Sequence, residues 1–133
     1  MAAKTIDDGE NYTIEWDDEI GAVVFTWDTY VSGAAFREGC EALLDAIERR
    51  DAAKVLTDTR GVSAHDAEDQ QWMQTDWMPR AHETGLEYSA TVHSDSVISE
   101  MDVENMLDGM EGGTAEPFLT SDMAEAREWL AAR

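Results

Sequence analysis

Apolar and polar positions change period several times along the chain, and each change marks a new element. Tyr12, Ile14 and Trp16 alternate with Thr13 and Glu15, the two-residue period of a half-buried strand. Asp17-Asp18-Glu19 with Gly21 supplies turn chemistry, and Ala22 to Trp27 follows as a second strand rich in β-formers. The pair predicts an N-terminal hairpin. From Ser32, a good helix N-cap, Phe36, Cys40, Leu43, Leu44 and Ile47 fall on one helical stripe, with Arg37, Glu38, Glu41, Asp45 and Glu48 on the other faces. Arg49-Arg50-Asp51 closes this helix with cations where its dipole favours them. Lys54-Val55-Leu56-Thr57-Asp58-Thr59-Arg60-Gly61 then reads as a strand buried through Val55 and Leu56 that delivers Asp58 to a loop at the sheet edge.

Beyond Gly61, Asp66 can cap a helix that carries Met73, Trp77 and Ala81 on one face. Trp72 and Met78 stand off that line and leave more apolar surface than one buried stripe needs, so they are the interface candidates. Pro79 cannot continue the hydrogen-bond ladder, which predicts a kink or a fresh turn there; His82 and Gly85 end the segment. Tyr88 to His93 reads as a fourth strand with Ala90 and Val92 inward. Ser94-Asp95-Ser96 caps a third helical region whose apolar face runs through Val97, Ile98, Met101, Val103, Met106, Leu107 and Met110, before a break at Gly112-Gly113. Ala115 to Leu119 is a fifth strand, placed at an edge by Pro117. Ser121-Asp122 caps a last helix packed through Ala126, Trp129 and Leu130. Strands alternating with helices after a hairpin predict the α/β class: one domain over residues 1–133, a loose N-terminus over 1–10, a mixed five-stranded sheet and about four helices.

Composition changes the picture in one respect. The chain carries 30 acidic residues against 9 lysines and arginines, a formal net charge of -21, yet 43% of it is hydrophobic, so the acid must coat a folded surface. Such a surface repels itself in dilute buffer and is screened in molar salt, where the Debye length is about 3 Å. A salt-adapted cytoplasm explains the charge, with a basic partner as the other explanation. Nucleic acid and anionic membrane surfaces would need cations that this chain lacks. No stretch is long and apolar enough to span a membrane, and no signal peptide is apparent. Cys40 is the lone cysteine; it belongs to the helical stripe and reads as a core thiol.

In element order, and in the Val55-Leu56-Thr57-Asp58-Thr59-Arg60-Gly61 strand end, the Asp69-Gln70-Gln71-Trp72 helix and the closing Glu125-Ala126-Arg127-Glu128-Trp129-Leu130 helix, the chain resembles the STAS-like superfamily. This is the fold of anti-sigma-factor antagonists, and the likeness is to small stand-alone members often grouped with lipid-binding CRAL-TRIO-type domains. The resemblance runs from Tyr12 to Leu130 and implies a regulatory domain without catalysis. In the antagonist branch a strand acid and a loop acid precede a phosphorylated serine. Asp58 matches the first and Asp66 the second, which puts Ala67 at the acceptor position; Ser63 would serve only if the loop were slid by several residues. The phosphoacceptor is therefore missing from the preferred alignment.

The remaining chemistry is sparse. Asp58 lacks the lysine of a phosphoryl-accepting receiver site and pairs more simply with Arg60 or with turn amides. His65, Asp66, Glu68 and Asp69 gather without the spacing of a zinc or calcium loop, so no metal and no cofactor is expected. The strand-end and loop candidates are Asp58, Arg60, Ser63, His65 and Asp66. A non-enzymatic interaction domain, binding a protein partner or a second copy of itself through the Gly61 to Met78 region, is the first expectation. The second is a carrier or sensor of a small apolar, lipid-like ligand beside Met101, Met106 and Met110; an enzyme working at the Asp58 edge comes third.

Overall fold

The computed structural model describes residues 3–9, 11–29, 31–60, 67–94, 101 and 116–133. Strands β1 (Ala3–Asp8), β2 (Tyr12–Asp17), β3 (Ala22–Trp27), β4 (Lys54–Asp58), β5 (Tyr88–Val92) and β6 (Glu116–Thr120) form one sheet in the order of the sequence. The β1–β2 and β2–β3 pairs are antiparallel, and the β3–β4, β4–β5 and β5–β6 pairs are parallel. The α/β class, the mixed sheet and the hairpin are as the hydrophobic pattern predicts. Strand β1 is the departure, because residues expected to be loose pair with β2 from Ala3↔Asp17 to Asp8↔Thr13. Their polar sequence carries no two-residue apolar period, so only the neighbouring strand's free edge marks them as a strand.

Helix α1 (Ala34–Arg50) crosses from β3 to β4. A helical rod crosses from β4 to β5, made of α2 (Ala67–Trp72), a π-helical turn (Met73–Trp77) and α3 (Met78–Glu83). Right-handed crossovers that advance in one direction along a sheet put their helices on the same face, and α1 and the rod share one core. That core joins Tyr12, Ile14, Val23, Phe25, Trp27 and Val55 of the sheet to Phe36, Cys40, Leu43, Leu44 and Ile47 of α1 and Trp77, Met78 and Ala81 of the rod. On the other face α4 (Met123–Ala131) lays Ala126 and Leu130 over Ala22, Val24, Leu56, Ala90 and Val92. Val55 and Leu56, neighbours in one strand, are 2% and 0% exposed, one in each core, as the two-residue alternation of side chains requires.

Caps and cations fix these layers. Asp122 caps α4, its Oδ1 accepting from the Ala124 amide at 2.9 Å. Ser32, expected to cap α1, does not: Gly33 holds that position at φ 61°, and its amide donates to both carboxylate oxygens of buried Asp69 at 3.2 and 3.1 Å. The cap is thus supplied from α2, 36 residues away. Lys54 donates to the carbonyls of Ile20 and Leu130 at 3.1 and 2.7 Å, and Arg127 of α4 meets Asp17 at 2.5 Å. Two of the chain's few cations therefore bind the last helix to the hairpin turn.

Candidate functional site: a hydroxyl-floored cavity between sheet and helices

The strand-end candidates come first. Asp58 is buried, and its Oδ1 accepts from the amide and the Nε of Arg60 at 3.0 Å each, while its Oδ2 takes Arg60 Nη2 at 2.9 Å. This consumes the carboxylate in closing its own turn. The strand order also runs without reversal, so the described strands offer no switch point at which crossovers diverge to open a crevice at the carboxyl ends. Ser63, His65 and Asp66 lie outside the described residues, as do Met106 and Met110. Met101 is 57% exposed. The interface pair separates: Trp72 is half-buried, edge-on to Phe36 with the Arg37 guanidinium over its ring, whereas Met78 is only 2% exposed and belongs to the core.

The cause of Met78's burial is the π-helical turn. Its amide donates to the Met73 carbonyl, a bond spanning five residues where an α-helix spans four. The wider turn brings Met73 and Met78 onto one face, beside Trp77, and returns to α geometry where Pro79 lacks an amide to donate. A fresh segment starting near Pro79 was expected. The change of phase ahead of it was not, and it turns the leftover methionine inward.

What Met73, Trp77 and Met78 face is a cavity of about 70 Å³ between the rod, α1 and the sheet. Its walls are of two kinds. Phe25, Trp27 and Phe36, with Leu43 and Leu86, form apolar walls, and Trp27 and Phe36 stack at 5.5 Å. The floor under β4 and β5 is Thr57, Thr59, Ser89 and Thr91, with His82 of α3 also in the lining. Thr57 is the register partner of Thr91, and Val55 of Ser89, so the hydroxyls of adjacent strands stand side by side. Thr59 Oγ1 donates to the Val92 carbonyl at 2.9 Å. Among the described residues no hydrogen bond occupies the hydroxyls of Thr57, Ser89 and Thr91.

Ser89 and Thr91 are only 7% and 6% exposed. Their hydroxyls and that of half-buried Thr57 line the cavity, and each can both donate and accept, so this floor offers hydrogen bonds to a polar group that enters. These residues escaped the sequence reading, which took Ala90 and Val92 as the inward side of the strand. A signal was there: a parallel strand with neighbours on both sides is covered on both faces, so its alternate polar residues are buried as well.

Cys40 also lines the cavity, 3.9 Å from the Met73 sulfur. Burial, reinforced by the nearby carboxylates of Glu41 and Asp69, pushes its thiol far above the ordinary value, so it stays protonated and acts as wall. Trp77 Nε1 donates to the Cys40 carbonyl at 2.7 Å, and Arg80 binds both Glu41 of α1 and Asp76 of the π-helical turn. The rod is thereby held against α1 along the rim. The hydrogen bond from Arg80 draws the Glu41 carboxyl below its usual range. Among the described residues no group of three or more histidines, cysteines or carboxylates could hold a metal ion, and no described helix is long and apolar enough to cross a membrane. Neither a scan against protein-family models nor a search of the curated proteins returns a match.

Proposed function

We propose that this chain is a non-enzymatic binding domain of STAS-like type that takes up a small, largely apolar molecule in the cavity between β3–β5, α1 and the π-helical turn. The observation that carries the reading is a void lined on one side by aromatic and methionine side chains and on the other by the hydroxyl-bearing residues Thr57, Thr59, Ser89 and Thr91. An apolar pocket with a few convergent polar groups is the usual form of a small-molecule site, and methionines let such a wall adjust to its guest. The ligand site moves accordingly, from the helical region of Met101, Met106 and Met110 to the rod of Met73 and Met78. Size limits the guest. About 70 Å³ is roughly half of a ~150 Å³ cavity that accepts benzene, so a whole lipid chain is too large. The interaction-domain reading, for a protein partner or a second copy, retains Trp72 and loses Met78. The acidic surface is assigned, in the same proposal, to a salt-rich cytoplasm.

Isobutane, followed through the methionine methyl resonances, tests the reading. Saturable shifts are expected at Met73 and Met78, with exposed Met101 unmoved. Ala81→Leu, which fills the cavity from α3, should abolish the shifts in a protein that still melts cooperatively. Wild-type resonances that fail to saturate, or that move equally in Ala81→Leu, would remove the cavity as a binding site.

A further inference from the structure

The cavity's chemistry says more about its guest than that it is small. None of the described lining residues is an aspartate, glutamate, lysine or arginine, and the Cys40 thiol is held protonated by its burial. An ionic guest would lose its hydration with no carboxylate, ammonium or guanidinium in the described lining to replace it; besides the Cys40 thiol, the ionisable group there is the His82 imidazole. A pure hydrocarbon would satisfy the aromatic wall and leave the β4–β5 hydroxyls bare. Resting on the binding-domain reading above, we infer that the ligand is a neutral aliphatic molecule of a few heavy atoms bearing one hydroxyl or carbonyl oxygen, and that Thr57, Ser89 and Thr91 select for that oxygen.

The register supports a shared contact. Thr57 and Thr91 are direct partners on parallel strands, where neighbouring backbones run about 4.8 Å apart and paired side chains leave the same face. One ligand oxygen can therefore bridge two hydroxyls, each of which both donates and accepts. Ser89 stands two residues earlier on β5, about 6.6 Å along the strand, and offers a second position for the oxygen of a slightly longer guest. The hydrocarbon part then lies toward Phe25, Phe36 and the methionines, as the division of the lining dictates. Thr57, Ser89 and Thr91 are specificity-determining residues on this account, and no chemical step is asked of them.

The test compares 2-propanol with isobutane, which puts a methyl where the alcohol has its hydroxyl. Dissociation constants are read from the Met73 and Met78 methyls in wild type, Thr91→Val and Thr91→Ser. Thr91→Val keeps the shape and removes the hydroxyl; it is expected to weaken 2-propanol about fivefold to tenfold, the worth of one neutral hydrogen bond, and to leave isobutane unchanged or tighter. Thr91→Ser should restore 2-propanol to within about twofold of wild type. Isobutane binding without 2-propanol binding in wild type overturns the inference and leaves the cavity reading standing. Equal losses of both probes in Thr91→Val, or no loss of 2-propanol, overturn it as well. If neither probe binds wild type, the cavity reading falls and this inference with it.

Discussion

Gly39 shows how a single residue sets the distance between layers. It lies inside α1, where alanine is ordinarily worth about 1 kcal/mol more than glycine. Here a Cβ would collide with the far edge of the Trp27 ring and crowd Tyr12. That ring cannot yield, because it is stacked on Phe36 and meets Phe25 edge-on at 4.8 Å. Overpacking of this kind costs about 1–3 kcal/mol and outweighs the gain in helix propensity. Gly39→Ala is therefore expected to lower stability by up to about 2 kcal/mol after the gain in helix propensity is subtracted, a fall in Tm of up to roughly 7 °C for a chain of this length. Thermal unfolding measures it, and an unchanged or higher Tm would mean that the ring has room to move. Asp69 makes the same point from the polar side: its carboxylate reads in the sequence as one more surface acid, yet it is 2% exposed and caps another helix.

Among the elements, legibility follows how local the determining interaction is. The α1 stripe of Phe36, Cys40, Leu43, Leu44 and Ile47 is buried as its spacing requires, because one strong helical period faces one sheet. Strand β3 begins and ends where its β-forming run does, and β6 lies at the sheet edge as Pro117 indicated. The rod was legible only in part. Met73, Trp77 and Ala81 do face inward, but an α-helical ruler placed Met78 outside, since it cannot register a turn that closes over five residues. The capping of α1 failed for a related reason, because the acceptor comes from Asp69, far along the chain. The buried hydroxyls of β5 were hidden by reading one face of a strand that has two covered faces. Of the candidates at the Asp58 edge, Asp58 and Arg60 bond to each other across a turn, a local pairing that their spacing allowed, while Ser63, His65 and Asp66 lie outside the described residues.

For the whole molecule, the sheet separates two cores of different quality. The α4 side closes with Ala126 and Leu130 fully buried and with Phe118 and Trp129 stacked at 4.9 Å. The α1 and rod side holds the larger aromatic residues and the cavity. The chain carries 30 acidic residues against 9 lysines and arginines; Asp17, Asp58 and Asp69 are buried, and of the cations Lys54, Arg60, Arg80 and Arg127 are committed to internal contacts. Uncompensated repulsion should therefore depend strongly on screening. The account predicts that Tm rises by more than about 5 °C, the equivalent of roughly 1–2 kcal/mol, between dilute buffer and 2 M KCl. A flat or falling Tm would assign the acidity to a basic partner instead of to salt.

The cavity is the feature on which the functional account turns, and a crystal pressurised with xenon examines it directly. The prediction is a xenon atom in contact with Phe36, Met73 and Met78, above the hydroxyls of Thr57 and Thr91. A crystal in which those side chains close on one another and leave xenon no place between the rod and the sheet would contradict it.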